Sequence, residues 1–147
     1  MNSRTTADPN ASPCACGSAK NFDDCCLPYI DCATRAPSAQ ALMRSRYTAY
    51  TLQRSDYLLQ TWHPHTRPTR LTHDAAIRWL GLTIKHSCAG LPGDSEGTVE
   101  FVARFKSGSR AERIHEISRF VCENDAWLYL DGEVKHQPQS RPGRPPL

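Results

Sequence analysis

Four cysteines, Cys14, Cys16, Cys25 and Cys26, stand in a C-x-C-x8-C-C arrangement near the start of a 147-residue chain. Two close pairs joined by a short loop are what a tetrahedral thiolate site needs, with sulfurs about 2.3 Å from a zinc ion. Four sulfurs fill every coordination position and leave none for a substrate water, so this chemistry is structural rather than catalytic. Gly17 can take the positive φ that turns the chain under a metal. Ser18 is placed to cap a short helical turn leading to the second pair. The competing reading is a set of disulfides. Adjacent cysteines such as Cys25 and Cys26 rarely bond each other, and the opening Met-Asn-Ser-Arg-Thr-Thr-Ala-Asp-Pro has no apolar run of the kind that exports a chain to an oxidising compartment. Cys32, Cys88 and Cys122 remain once the metal is served, and Cys122 is expected as a buried thiol in an apolar strand.

The formal charge is +3, and Arg141 and Arg144 near the end account for two of those charges. A nearly neutral body argues against a nucleic-acid interface, which needs a dense basic face. No stretch approaches the roughly 18 apolar residues of a membrane span. A soluble, cytoplasmic protein is expected.

The elements that must position these residues follow from composition and period. Residues 1–12 are polar and patternless and read as disordered; 13–36 form the metal module. Residues 38–136 carry a domain pattern, and 137–147, with four prolines, read as a disordered Pro/Arg tail. Ser38 is a good N-cap, and Leu42, Met43, Tyr47 and Tyr50 give a helix one apolar face. Ser55 reads as the cap of a second short helix ending at Trp62-His63-Pro64, because Pro64 biases its predecessor out of the helical region. A third helix is expected from Thr72 to Arg78. The period then changes to two. Leu80, Leu82 and Ile84 alternate with Gly81, Thr83 and Lys85, and Val99, Phe101, Ala103 and Phe105 with Glu100, Val102 and Arg104; Ile114 to Cys122 and Trp127 to Leu130 complete the set. Turns at Ser107-Gly108-Ser109 and Glu123-Asn124-Asp125 make hairpins, hence an antiparallel meander in an α+β fold.

Residues 13–26, from Pro13 to Cys26, resemble the SEC-C motif, the zinc module also found in the SecA translocation ATPase. The match rests on Cys14, Cys16, Gly17, Ser18, Lys20, Cys25 and Cys26. Further phrases follow in order: Leu42 to Tyr47, Thr61-Trp62-His63-Pro64, Trp79 to Leu82, Phe101 to Phe105, Ser118-Arg119-Phe120, and Trp127-x-Tyr129-x-Asp131-Gly132. Together they resemble the YchJ-like family of uncharacterised bacterial proteins. The resemblance implies an NTF2-like cone, with N-terminal helices packed on a curved antiparallel sheet of about four strands, and a small N-terminal zinc-binding knob.

It implies one structural Zn2+ and a knob that docks on a protein partner, export or translation machinery by analogy with the motif. NTF2-like sheets also often pair as homodimers. Asp23 and Asp24 precede Cys25, where such motifs are commonly lysine-rich, so nucleic-acid or ribosome binding does not carry over. An NTF2-like cone often holds a pocket, and Arg44, Tyr47, Tyr57, Trp62, His63, Arg104, Glu116 and Arg119 are placed near it. Glu116 shares a strand face with Ile114, Ser118 and Phe120, so it needs a partner, with Arg44 or Arg104 the first choices.

An enzyme of isomerase, dehydratase or hydrolase type would use His63 as a base oriented by a carboxylate. The alternatives are structural Arg–Glu pairs, core tryptophans and a helix-end histidine. His63-x-His65 lacks a third metal ligand at suitable spacing. The preferred reading is an interaction protein whose main domain, a scaffold or a small-molecule sensor, keeps its fold without residues 1–36.

Overall fold

The computed structural model describes residues 12–136, so the two expected disordered ends lie almost wholly outside the described residues. Four long strands, β1 (Ile77–Ala89), β2 (Glu96–Ser107), β3 (Arg110–Glu123) and β4 (Ala126–His136), form one antiparallel sheet in chain order. Asn124 and Asp125, at φ 52° and 62°, make the two-residue turn between β3 and β4. Two left-handed residues in succession match the twist of the flanking strands, and Asn and Asp tolerate that conformation best after glycine. Between β2 and β3 the two-residue turn is Gly108-Ser109, with Gly108 alone left-handed at φ 62°.

Strand alternation delivers Val99, Phe101, Ala103 and Phe105 of β2, and Ile114, Phe120, Trp127 and Tyr129 of β3 and β4, to the inner face, all buried. Helix α2 (Ala39–Thr51) lies against that face; α1 (Leu27–Ile30) and α3 (Ser55–Gln60) pack on its outer side. Ser38 caps α2 through its hydroxyl, which accepts from the Ala41 N–H at 3.1 Å. Enclosed between sheet and short helices, α2 has no solvated stripe, and residues 45 to 50 are all buried. The chain leaving α3 pairs in parallel with β4 at Trp62 and Tyr129. The Tyr129 N–H donates to Thr61 O and the His63 N–H to Tyr129 O, each at 2.8 Å, which closes part of the β4 edge.

Four local expectations change. Ser55 does not cap α3; its hydroxyl bonds His73 Nε2 at 2.6 Å, and Arg54 holds the cap position without a side-chain bond. No helix forms from Thr72 to Arg78, because Asp74 Oδ1 takes the Ala76 N–H in a tight turn and β1 begins at Ile77. A β-bulge between Trp79 and Gly81 removes Leu80 from the alternation: its side chain is 50% exposed, while Trp79 packs on the core and Leu82 is buried. Cys122 is half-buried rather than buried. Among the described residues no helix is long and apolar enough to cross a membrane.

Candidate metal centre

The loop carrying the first two cysteines is tied shut before any metal is considered. Pro13 and Asn21 form an antiparallel bridge, Cys14 N–H donates to Lys20 O at 2.8 Å, and Phe22 N–H to Ser12 O at 3.0 Å. Gly17 sits at φ 78°, and a Cβ there would meet Leu82 O at 3.0 Å, so glycine is required by both backbone and neighbour. A 3-10 turn, Phe22–Asp24, then delivers Cys25 and Cys26 to the same place. The four sulfurs lie within 4.8 Å of one another. Cys16 to Cys25 is 3.6 Å and Cys25 to Cys26 is 3.9 Å. A tetrahedron with 2.3 Å metal–sulfur bonds has edges of roughly 3.8 Å, so the donor set fits a metal ion held by thiolates alone.

The surroundings favour shared negative charge there. Hydrogen bonds, first from Cys14, push the Cys16 thiol well below its ordinary value. Hydrogen bonding with Cys14 and Cys16 and then burial push Cys26 up, and burial pushes Cys25 up. One thiolate forms readily at the expense of its neighbours, and a cation is what allows the others to ionise. All seven cysteines are free thiols, so the disulfide alternative is not what forms.

The module is built into the domain. Thr48 of α2 places its hydroxyl 3.3 Å from Cys26 Sγ and 3.6 Å from Cys14 Sγ. Arg44 Nη1 donates to Cys16 O at 2.7 Å. Cys14, Cys16, Cys26 and Ile30 belong to the same buried core as Leu42 and Met43. Ser18 does not cap a helix as expected: its hydroxyl bonds Cys25 Sγ at 3.1 Å and accepts the Lys20 N–H, orienting a ligand instead.

The eight residues placed near a pocket do not share one. Arg44 is spent on the metal loop. Tyr47 is buried edge-on to Trp79, and Arg104 is exposed on the outer face, its guanidinium against Gly81. Arg119 pairs with Asp131 on the surface. His63 is buried, but its Nδ1 accepts the His65 N–H at 3.1 Å, so Nε2 carries the proton to Glu123 Oε1 at 2.9 Å. Both ring nitrogens are occupied, which leaves no free base and no second metal ligand. Among the described residues the four cysteines are the one metal-capable cluster.

Tyr57, Trp62 and Glu116 do face the interior, and there they meet a residue that sequence reasoning passed over. Arg46 is fully buried, its guanidinium 5.0 Å from the Trp62 ring centre and 4.7 Å from that of Tyr129. The signal was present: Arg46 stands four residues after Leu42 and four before Tyr50, on the buried stripe, whereas Arg44 does not. Tyr57 donates to or accepts from Ser45 at 2.7 Å, and burial pushes its phenol up to about 12. A separate cavity of about 330 Å³ opens between the module's exit and the domain, lined by Tyr29, Cys32, Arg35, Tyr57, Gln60 and Trp127 among others.

Comparison with known proteins agrees with this architecture. The family model of the YchJ middle NTF2-like domain matches residues 38–132. A UPF0225 protein of Bordetella parapertussis is 49% identical over 132 residues, covering 86% of this chain and 98% of its own length. One of Chromobacterium violaceum is 51% identical over 125 residues, covering 82% and 92%. The solution structure of a SEC-C motif containing protein from Rhodopseudomonas palustris superposes with a TM-score of 0.73 at 38% identity, covering 83% of this chain and 98% of that one. The crystal structure of another from Psychrobacter arcticus gives 0.68 at 28% identity, covering 89% and 86%. With a four-cysteine motif built onto a helix-filled antiparallel sheet, this chain belongs to the YchJ-like UPF0225 family of uncharacterised bacterial proteins.

Proposed function

We propose that this chain is a zinc-containing interaction protein of the cytoplasm: the SEC-C module holds one structural Zn2+ and docks on a protein partner, and the NTF2-like domain is its scaffold. The observation that carries the reading is the closed sulfur shell, three of whose members are buried, beneath an exposed rim of Lys20, Asn21, Asp23 and Asp24. A zinc with four thiolates bears two negative charges, and Asp23 and Asp24 add two more, so the partner presents a basic surface. Exposed thiols at Cys32 and Cys88 suit a reducing compartment. The enzyme alternative loses its proposed constellation, since Arg44, His63 and Glu116 are engaged with Cys16, Glu123 and Ser118 respectively.

Native mass spectrometry of the purified chain should show one zinc, lost when Cys14 and Cys25 are replaced by serine; an iron increment or no metal sinks the zinc assignment. Docking is tested with Asp23→Lys and Asp24→Lys together, which alter the rim and spare every sulfur. Capture of a partner should be lost with metal retained, and capture at the wild-type level rejects the docking surface.

A further inference from the structure

The interior holds more hydrogen-bonding capacity than the protein uses. Arg46 Nη1 donates to Leu58 O at 2.8 Å and to Thr61 Oγ1 at 2.7 Å, but its Nε and Nη2 are buried with no partner. Trp62 and Tyr129, which stack on the guanidinium, are themselves edge to face at 5.1 Å, and Trp62 Nε1 and the Tyr129 hydroxyl are also unpartnered. Glu116 accepts the Ser118 hydroxyl at Oε2, 2.6 Å away, and leaves Oε1 unsatisfied. No hydrogen bond or ion pair joins Glu116 to Arg46, although each lies within electrostatic range of the other.

Native interiors leave few buried polar atoms unpaired, because each forfeits its hydration with nothing in return. Five such atoms here belong to four side chains in one cluster. Their arrangement is selective. With Nη1 taken, the free edge of Arg46 is the Nε–Nη2 side, the two parallel N–H groups that receive a planar oxyanion in bidentate fashion. Trp62 and Tyr129, whose rings lie over the guanidinium, bring two further unpartnered donors, the indole N–H and the phenol O–H.

We infer that Arg46, Trp62, Tyr129 and Glu116 form an interior binding site for a small planar carboxylate-class anion of formate, acetate or bicarbonate size. The anion seats on the Nε–Nη2 edge of Arg46, Trp62 Nε1 and Tyr129 O–H donate to it, and Glu116 is protonated and donates from Oε1. Burial pushes the Glu116 carboxyl above its ordinary range, which suits that protonated role. Gly132 of β4 makes room for the Glu116 carboxyl: a Cβ there would stand 2.5 Å from its carboxyl carbon. The site shares no residue with the metal module and stands whether or not the module docks on a partner.

The test is an NMR titration of the full-length, metal-loaded, 15N-labelled protein with sodium formate and sodium acetate, with sodium chloride matching ionic strength. The Trp62 indole and Arg46 Nε–H signals should both shift saturably with either carboxylate and not with chloride. Trp62→Phe, which keeps an aromatic face and removes one donor, should weaken binding roughly tenfold, and Arg46→Met should abolish it. Signals that ignore the carboxylates, or that move equally with chloride, overturn the site; so does a crystal structure grown in acetate that shows only waters bridging Arg46 and Glu116. If Arg46→Met fails to fold, the Trp62→Phe comparison decides alone: undiminished affinity rejects the assignment.

Discussion

Two side chains measure how the interior and the metal centre are tuned. Burial raises the Glu116 pKa above its ordinary 4.5. A carboxyl with a raised folded pKa contributes stability that is fully present below the unfolded value and lost as pH rises through the folded one. Glu116→Gln should therefore gain on the wild type as pH climbs above 4.5 in urea denaturation, and a constant difference from pH 4 to 8 would contradict the buried-carboxyl account. Thr48→Val keeps the shape and deletes the hydroxyl that faces Cys26 and Cys14. Its metal affinity should fall about tenfold in a chelator competition, the usual scale for a lost partner behind the ligands; an unchanged affinity would make that hydroxyl a bystander. At this scale the cysteines were legible because ligand spacing is written within 13 consecutive residues. Arg46 was legible only in its spacing, four residues from Leu42 and from Tyr50, a faint mark because a helix buried on nearly every side has no polar stripe against which a buried arginine stands out.

At the scale of elements, hairpins were legible where turn chemistry is local, as at Asn124-Asp125 and Gly108-Ser109. What local pattern misses is the bulge, since an extra residue shifts the inward register without changing composition. Leu80 and Leu82 test it directly. Leu80→Lys should change stability by no more than about 0.5 kcal/mol, as for ordinary surface sites. Leu82→Ala should cost about 2–5 kcal/mol; equal costs in chemical denaturation would place Leu80 inside after all. The absent helix after Thr72 has the same origin, because Asp74 resolves its turn through a side-chain bond that periodicity does not register. Tyr129 likewise owes its edge coverage to Thr61 and His63, more than 60 residues earlier, a distance at which no short motif speaks.

For the molecule as a whole, the separable knob read from the sequence gives way to a shared core, with Cys14, Cys16, Cys26 and Ile30 packed among the residues of α2. Deleting residues 1–36 should therefore collapse the dispersion of the domain's NMR spectrum, and a well-dispersed spectrum from the truncated chain would restore the separable knob. Chelating the metal from the intact protein should lower Tm by about 10 °C or more, given that 1 kcal/mol moves a domain of about 150 residues by about 2–4 °C and a structural metal is worth several; an unmoved Tm would show that the sulfurs hold their places without it. The fold class, by contrast, was readable in outline, because strand period and short turns are dense in the second half. The contact between Thr48 and two of the sulfurs has one more consequence, for observation. With cobalt in place of the native ion, the visible absorption of the thiolate site should respond to small displacements of α2, turning the metal into an optical gauge of events inside the cone.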